Sequence, residues 1–143
     1  MDITIREIEE KDYHSVLSLG NNELNCNHSV EDVVTHYERV KTDERYKTFV
    51  AVFNDEVVGF ISLVWSFAIG CEVGFIHVVA LAVKTEKQNK GIGTKLIKYV
   101  ENYATEKRIR SIILNTGVQR TEAHTFYKSK GYENHSWCFN KNL

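Results

Sequence analysis

The sequence predicts a mixed α/β fold in which helices pack on both faces of a central sheet. Three apolar runs, at residues 48–53, 57–65 and 78–83, have the length and composition of β-strands. Two longer stretches, at residues 30–40 and 92–107, repeat apolar residues every three or four positions, which is typical of amphipathic helices. Because strands and helices alternate along the chain, a layered arrangement of both is expected.

Local signals place the elements of the first half of the chain. Ser29 and Asp32 have the spacing of a capping box and predict the start of a helix. Asn54-Asp55-Glu56 separates two strand-like runs and predicts a β-hairpin. The predicted elements are a strand around Ile3 and Ile5, a helix at residues 11–19, the helix after Ser29, and the two hairpin strands.

The second half is expected to begin with the central strand of the sheet. Residues 78–83 are apolar at every position, so this strand is predicted to be covered on both sides. A glycine-bearing loop and the helix at residues 92–107 follow it. The remaining predicted elements are a strand at residues 111–114, a short helix capped by Thr121 and ended by Gly131, and a last strand at residues 136–140.

Composition limits the function classes. With 143 residues, 43% hydrophobic and 26% charged, the chain is expected to form one domain, residues 1–143, with a core of its own. A net charge of -1 argues against a nucleic-acid binder that relies on bulk electrostatics. Cys26, Cys71 and Cys138 lack metal-ligand spacing, so no metal site and a reducing, cytoplasmic location are expected. Neither a signal peptide nor a membrane span of about 18 apolar residues is evident.

The most informative segment is Gln88-Asn89-Lys90-Gly91-Ile92-Gly93, which joins the apolar run 78–83 to the helix after it. Such a loop presents consecutive backbone N–H groups at a helix N-terminus, where unpaired amides and the helix dipole attract phosphate. Gly91 and Gly93 let the backbone approach a ligand closely. The segment therefore predicts a phosphate-bearing cofactor, and the alternative is an ordinary strand–helix connection whose glycines only form the turn.

Two common phosphate-binding motifs do not fit this segment. A Walker loop requires Gly-Lys-Ser/Thr, whereas the order here is Gly93-Thr94-Lys95. A dinucleotide fingerprint requires a third glycine where Leu96 stands, and an acidic residue about twenty positions further on. The strand that ends near Thr116 offers no such acidic residue, so this motif is excluded as well.

The remaining pattern, Gln/Arg-x-x-Gly-x-Gly/Ala, resembles the pyrophosphate loop of the GNAT superfamily of N-acetyltransferases. The longer stretch from Leu81 to Gly93 is also similar to that family's strand-and-loop signature. Thr85 departs from it, because many members carry proline at this position. The resemblance implies a GNAT-type acyl-CoA N-acyltransferase fold and acetyl-CoA as co-substrate.

The resemblance also implies which residues hold the cofactor. The backbone groups of Leu81 and Val83 would pair with the pantetheine arm like an added strand, and a nearby N–H would stabilise the oxyanion. Asn115 would be a further contact or a turn residue. Arg120, where many members carry asparagine, would meet a phosphate or lie in solvent. The implied pyrophosphate contacts are Gln88, Asn89, Lys90, Gly91, Ile92, Gly93 and Thr94.

Tyr127 is the predicted general acid. The segment 120–127, followed by Gly131-Tyr132, resembles the family's second signature, in which a tyrosine lies near the thioester sulfur. Acetyl transfer to an amine releases a thiolate, which a phenol can protonate. The alternative is that Tyr127 only packs beside Phe126 and Tyr132.

His77 is the predicted general base. By strand alternation it shares a side with Val79, Leu81 and Val83, and it precedes Val83 by six residues, a spacing at which several family members place a glutamate base. Imidazole titrates near pH 6.5, so it could take a proton from an ammonium group directly or through water. The alternative is a core histidine with a satisfied hydrogen bond.

The predicted function is transfer of an acetyl group from acetyl-CoA to a primary amine of a small molecule, by direct attack in a ternary complex. The pattern at residues 120–132 and the ending from Phe139 to Leu143 resemble aminoalkylphosphonate N-acetyltransferases within the family. The alternatives are a protein or peptide N-acetyltransferase and a non-catalytic acyl-CoA-binding sensor or interaction module. Neither a nucleic acid nor a membrane is an expected partner. A homodimer is a candidate state, because relatives are often dimers.

Overall fold

The structure is a computed structural model that describes all 143 residues, and the chain divides into two compact units, Met1–Ile113 and Leu114–Leu143. The strands are β1 (Thr4–Glu7), β2 (Tyr46–Phe53), β3 (Glu56–Ala68), β4 (Cys71–Val83) and β5 (Ile112–Leu114). The helices are α1 (Tyr13–Glu23), α2 (Val30–Val40), α3 (Ile92–Glu106) and α4 (Thr121–Ser129), with 3₁₀ turns at Glu10–Asp12 and Thr85–Lys87. No helix combines the length and apolar character needed to cross a membrane. That residues 1–143 form one domain stays a prediction.

The five strands form one sheet in the order β1-β2-β3-β4-β5, and β1 to β4 are an antiparallel meander. The predicted hairpin between β2 and β3 is confirmed. Its turn residues Asn54 and Asp55 have φ of 50° and 62°, and two left-handed residues are what a type I′ hairpin turn requires. The predicted capping box of α2 is also confirmed, because the Asp32 N–H donates to Ser29 Oγ at 3.1 Å and the Ser29 N–H to Asp32 Oδ2 at 2.9 Å.

One face of the sheet, called here the α1 face, carries Val50, Phe60 and Ala82. These side chains form a buried cluster with Val16 and Leu19 of α1. Helix α2 also lies on this side, since the Tyr37 hydroxyl is 3.2 Å from the hydroxyl of Thr48 on β2.

The opposite face, called here the α3 face, packs against α3. A methyl group on Gly59 of β3 would lie 3.3 Å from Leu96 and 3.4 Å from Ile92. The ring of Phe49 lies 4.8 Å from that of Tyr99. The prediction of a mixed sheet with helices on both faces is therefore confirmed.

Strand β4 contains a β-bulge at Val79. Leu63 of β3 pairs with Val78 and Ser62 pairs with Ala80, so Val79 has no partner on β3. A bulge places two consecutive residues opposite one and shifts the alternation of all later side chains. Val79 is 53% exposed, so the expectation that this strand is covered on both sides is wrong at the bulge.

The bulge also changes the side on which His77 lies. Directly paired residues of an antiparallel pair point to the same face. The register therefore places His77 on the α1 face with Ala80 and Ala82, and Leu81 and Val83 on the α3 face. The expectation that His77 shares a side with Leu81 and Val83 was wrong, because strict alternation does not continue through an inserted residue.

The second unit differs from the prediction at two places. Residues 136–140 form no strand, and Trp137 and Phe139 are 81% and 87% exposed. Alternation of large and small residues produces a strand only where neighbouring backbone and a buried face support it. Thr121 is the first residue of α4 rather than its cap, which is Arg120 and makes no capping bond through its side chain. Gly131 follows the helix with φ of 90°, as expected for its terminator.

Strands β3 and β4 continue beyond β2 as a two-stranded arm that ends at Ile69-Gly70. The last β2–β3 pair is Tyr46 with Val64, and beyond the bond from the Trp65 N–H to the Arg45 carbonyl at 2.7 Å the arm strands pair only with each other on that side. Trp65 links the two strands of the arm, because its indole N–H on β3 donates to the carbonyl of Val73 on β4 at 2.8 Å.

Gly74 is required by the close packing of this arm, and Gly74→Ala should lower the free energy of unfolding by about 3 kcal/mol. Its φ is 76°, and an added Cβ would lie 2.5 Å from the Ser66 carbonyl oxygen and 2.6 Å from the Trp65 indole nitrogen. Gly70 has φ of 83° but no atom within 4 Å of such a Cβ. Gly70→Ala should therefore cost only the strain of a left-handed residue, about 1 kcal/mol. Urea denaturation measures both, and equal losses would contradict the steric argument.

Candidate active site

The connection between β4 and α3 contains two left-handed residues, Asn89 with φ of 61° and Gly91 with φ of 83°. Gly91 is the cap of α3 and has no side chain to bond the first amides of the helix. A Cβ on Gly91 would meet no atom within 4 Å, so the space beside the backbone is open. Glycine is favoured at position 91 because its φ is positive, and not because a side chain would clash with a neighbour.

Helix α3 begins directly after this glycine. The Lys95 N–H donates to the Gly91 carbonyl at 3.0 Å and closes the first turn. The N–H groups of Ile92, Gly93 and Thr94 precede it and have no acceptor within the helix. A glycine cap, open space and consecutive amides at a helix N-terminus are the arrangement that binds phosphate.

The loop is tied to the end of α1 by Glu23. Oε1 of Glu23 accepts hydrogen bonds from the Thr85 N–H at 3.1 Å and the Thr85 hydroxyl at 2.7 Å. The Gln88 side-chain amide donates to Glu23 Oε2 at 3.2 Å and to the Val83 carbonyl at 2.9 Å. No local pattern predicts this contact, because Glu23 is separated from its partners by more than sixty residues of sequence.

The main-chain groups of Leu81 and Val83 point away from β3. The Lys84 N–H donates to the Val58 carbonyl at 2.8 Å, so alternate residues before Lys84 also direct their main chain to β3. Leu81 and Val83 fall between them and direct theirs to the opposite edge of β4. Strand β5 approaches that edge further back, where the Ile76 N–H donates to the Ser111 carbonyl at 2.9 Å.

The predicted cofactor residues of the first unit thus lie at the end of β4 and in the loop after it, whereas His77 lies in the middle of the strand. Leu81 and Val83 lead directly into the loop, and their side chains lie on the α3 face. His77 lies two residues before the bulge, partly buried on the α1 face. The strand therefore carries the predicted cofactor groups and the predicted base on different sides.

Tyr127 lies on α4 in the second unit. Its ring packs edge-to-face against Phe126 at 5.2 Å and Tyr132 at 6.0 Å between ring centres. Burial raises the pKa of the Tyr127 phenol above its ordinary value, although the charge of Arg120 acts in the opposite direction. A raised pKa keeps the phenol protonated at neutral pH, as a proton donor must be.

The loop before α4 is closed by His124. Its Nε2 lies 2.8 Å from the Gly117 carbonyl oxygen, which can only accept, so this nitrogen carries the proton. The Arg120 N–H donates to the same carbonyl at 3.0 Å. Asn115 and Arg120, the two remaining predicted cofactor residues, also belong to this unit.

Comparison with known proteins adds to this geometry. The model of the acetyltransferase (GNAT) family matches residues 4–132. The chain belongs to the GNAT family. Among its GNAT relatives is an aminoalkylphosphonate N-acetyltransferase of Salmonella typhimurium, 31% identical over 94 residues, which cover 66% of this chain and 61% of that protein. An uncharacterized N-acetyltransferase of Methanocaldococcus jannaschii is 37% identical over 87 residues, which cover 59% of this chain and 51% of that protein.

Solved structures confirm the GNAT fold over nearly the whole chain. A transcriptional regulator of Bacillus halodurans superposes with a TM-score of 0.91 at 20% identity and covers 99% of this chain and 100% of its own. An aminoglycoside acetyltransferase from an uncultured soil metagenomic sample, in complex with trehalose, has a TM-score of 0.86 at 24% identity, and the match covers 99% of this chain and 96% of that one. AAC(6')-Iy in complex with a CoA-linked bisubstrate analogue has a TM-score of 0.86 at 17% identity, and the match covers 100% of this chain and 99% of that one. This GNAT chain spans 61% and 51% of the length of the two curated relatives.

Proposed function

We propose that this chain transfers the acetyl group of acetyl-CoA to a primary amine of a small molecule. The observation that carries the proposal is the loop before α3, where Gly91 is left-handed and open space lies beside amides that have no acceptor within the helix. Family membership supports the same chemistry. The residues fit a diphosphate, because a Cβ at Gly91 would meet no atom within 4 Å and the backbone there is open to a ligand.

Main-chain groups supply most of the proposed cofactor contacts. The amides from Asn89 to Thr94 would hold the diphosphate, and the main chain of Leu81 and Val83 would pair with the pantetheine arm. Gln88 would contribute through its backbone, since its side-chain amide is bonded to Glu23 and Val83. The assignments of Asn115 and Arg120 as further contacts rest on the resemblance of their segment to the family's second signature.

The proposed reaction is direct attack of the amine on the thioester carbonyl. His77, or a water that it holds, takes a proton from the ammonium group, and the freed nitrogen forms a bond to the carbonyl carbon. The Leu81 N–H is the first amide past the bulge that points away from β3, and it would stabilise the oxyanion. When the carbon–sulfur bond breaks, Tyr127 gives its proton to the departing thiolate, and the second proton lost by the attacking nitrogen restores the phenol. The products are the acetylated amine and free CoA.

An amine that also bears an anionic group is the proposed acceptor class. The aminoalkylphosphonate N-acetyltransferase among the relatives supports this choice. Arg39, Arg45 and Lys47 are the candidate cations of the first unit for this anion. Arg45 is paired with Asp43 at 2.8 Å and Lys47 with Glu7 at 3.1 Å, whereas no carboxylate lies within 4 Å of the Arg39 guanidinium. Arg39, in the last turn of α2, is therefore the proposed partner of the anion.

Measuring CoA release with a panel of amines tests the proposed activity. The panel contains an aminoalkylphosphonate, an aminoglycoside, a polyamine and a lysine-containing peptide, each with acetyl-CoA. Turnover should be highest with the aminoalkylphosphonate and fall in Arg39→Gln for that amine alone. Binding of CoA without turnover on any amine would instead support an acyl-CoA sensor, and turnover on the peptide alone would support a protein acetyltransferase.

A homodimer and a cytoplasmic location stay predictions; the three free cysteines agree with a reducing compartment.

His77→Gln should lower kcat by about 10²- to 10⁴-fold, the usual contribution of a positioned base. The KM for acetyl-CoA should change little, because a base acts on the reacting amine and not on the cofactor. His14→Gln is the matched control, because His14 is exposed on α1, and it should keep the wild-type kcat. Steady-state kinetics measure both variants. A kcat of His77→Gln within about threefold of the wild type would reject the assignment.

A further inference from the structure

Glu23 is the last residue of α1, and its carboxylate is hydrogen-bonded to the segment before the Gly91 loop. It accepts three hydrogen bonds, two from Thr85 and one from the Gln88 amide. Thr85 begins the 3₁₀ turn and Gln88 ends it, so both ends of the turn are held by one carboxylate. Bonds to an ionised acceptor are stronger than those between neutral groups.

The identity of residue 85 matters for this tie, because Thr85 offers two donors to the Glu23 carboxylate. A proline ring would restrict the backbone at the start of the turn without any partner, but it could not donate to Glu23 because it has neither an N–H nor a hydroxyl. Thr85 supplies both donors, so the tie to α1 replaces the rigidity that a ring would give.

We propose that Glu23 is a positioning residue for CoA binding: it holds the turn at residues 85–88 so that the Gly91 loop is preorganised for the diphosphate. This inference rests on the proposed function, since it assigns a role in binding the same cofactor. The carboxylate does not itself contact the cofactor. Its negative charge would oppose a diphosphate, so any gain in affinity must come from the geometry of the loop.

The charge of Glu23 and its hydrogen bonds therefore have opposite effects on the affinity for CoA. Removing the charge alone would tighten CoA binding, whereas releasing the turn would weaken it. Glu23→Ala should raise the Kd for CoA by about tenfold, since three bonds to a charged acceptor are lost. Thr85→Val keeps the N–H and loses only the hydroxyl, so it should raise the Kd by about threefold. Calorimetric titration with CoA measures each variant.

A proline should rescue the loss. Lys84 has φ of -52° and ψ of 133°, an extended conformation that a following proline accepts, and residue 85 is the first of its helical turn, where proline is favoured. The double variant Glu23→Ala, Thr85→Pro should therefore recover a Kd within about threefold of the wild type. Glu106→Ala, which removes an exposed carboxylate near the end of α3, is the control for charge and should leave the Kd within about twofold.

Steady-state kinetics separate positioning from a catalytic role. In Glu23→Ala the KM for acetyl-CoA should rise with the Kd, while kcat and the KM for the amine stay within about twofold. An unchanged or lower Kd in Glu23→Ala, with wild-type protein binding CoA, would overturn this inference alone. Absence of CoA binding by the wild type would overturn the proposed function together with it. If Glu23→Ala does not fold, Thr85→Val decides, and an unchanged Kd in that variant counts against the inference.

Discussion

Tyr127→Phe should lower kcat by about 10²- to 10⁴-fold and leave the Kd for CoA nearly unchanged. Phenylalanine keeps the ring that packs against Phe126 and Tyr132 and removes only the hydroxyl. The departing thiolate would then have to take its proton from water. A stopped assay of CoA release at saturating acetyl-CoA measures the effect.

The pH dependence of the wild type should carry the signature of the same group. Burial raises the pKa of the Tyr127 phenol above its ordinary value of 10.0. A donor with a raised pKa is fully protonated below its ordinary value and loses its proton only as pH rises through the raised one. Wild-type activity should therefore persist on the alkaline side beyond pH 10.0 and then fall, provided the protein remains folded.

Tyr99→Phe is the control for this substitution, since Tyr99 lies on α3 and its ring packs on Phe49. It should keep wild-type kcat and the wild-type alkaline fall, whereas Tyr127→Phe should lose that fall. Turnover by Tyr127→Phe at the wild-type rate would remove the general-acid assignment and leave packing as the role of Tyr127.

Gly91→Val should abolish measurable CoA binding or weaken it by at least about 100-fold. At φ of 83° a β-branched residue is strongly disfavoured, so the loop must either change shape or remain strained. If it keeps its shape, the side chain occupies the open space beside the first amides of α3. Either outcome removes the proposed diphosphate site.

Gly70→Val separates this effect from loss of stability. Gly70 also has φ of 83° and also has no atom within 4 Å of an added Cβ, but it lies at the tip of the β3–β4 arm. The two variants should lose similar free energy of unfolding, about 1–2 kcal/mol. Only Gly91→Val should lose CoA binding in a calorimetric titration. Equal affinities for CoA in the two variants would show that the loop does not hold the cofactor.

Features set by neighbouring residues were predicted well from the sequence. The capping box at Ser29 and Asp32, the turn at Asn54 and Asp55, and the glycine before α3 all depend on a few consecutive residues. Their physical causes, a side-chain cap and left-handed backbone, are local. The family and its loop could be recognised for the same reason.

Features set by partners distant in sequence were not predicted from the sequence. The side of β4 on which His77 lies depends on how β3 pairs with it around Val79, and no pattern within β4 reveals an inserted residue. The bonds from Glu23 to Thr85 and Gln88 join segments that meet only in the folded chain. Residues 136–140 have the alternation of a strand and do not form one. Alternation predicts which side chains share a face, but it does not show whether a neighbouring strand is present to pair with the backbone.

The extra residue in β4 makes the spacing of that strand matter as much as its composition. After Val79, each side chain of β4 lies on the face opposite to the one that strict alternation from the arm would give. The small Ala80 and Ala82 therefore lie under α1, and the bulky Leu81 and Val83 lie under α3. Loss of Val79 alone would let Val78 and Ala80 pair with Leu63 and Ser62 in succession, so the other side chains of β4 would keep their faces and the strand would lose only its bulge. A residue inserted after Ala80, where the pairing with β3 is regular, would instead move the side chains on one side of the insertion to the opposite face. The strand should therefore tolerate the loss of this residue better than the gain of another.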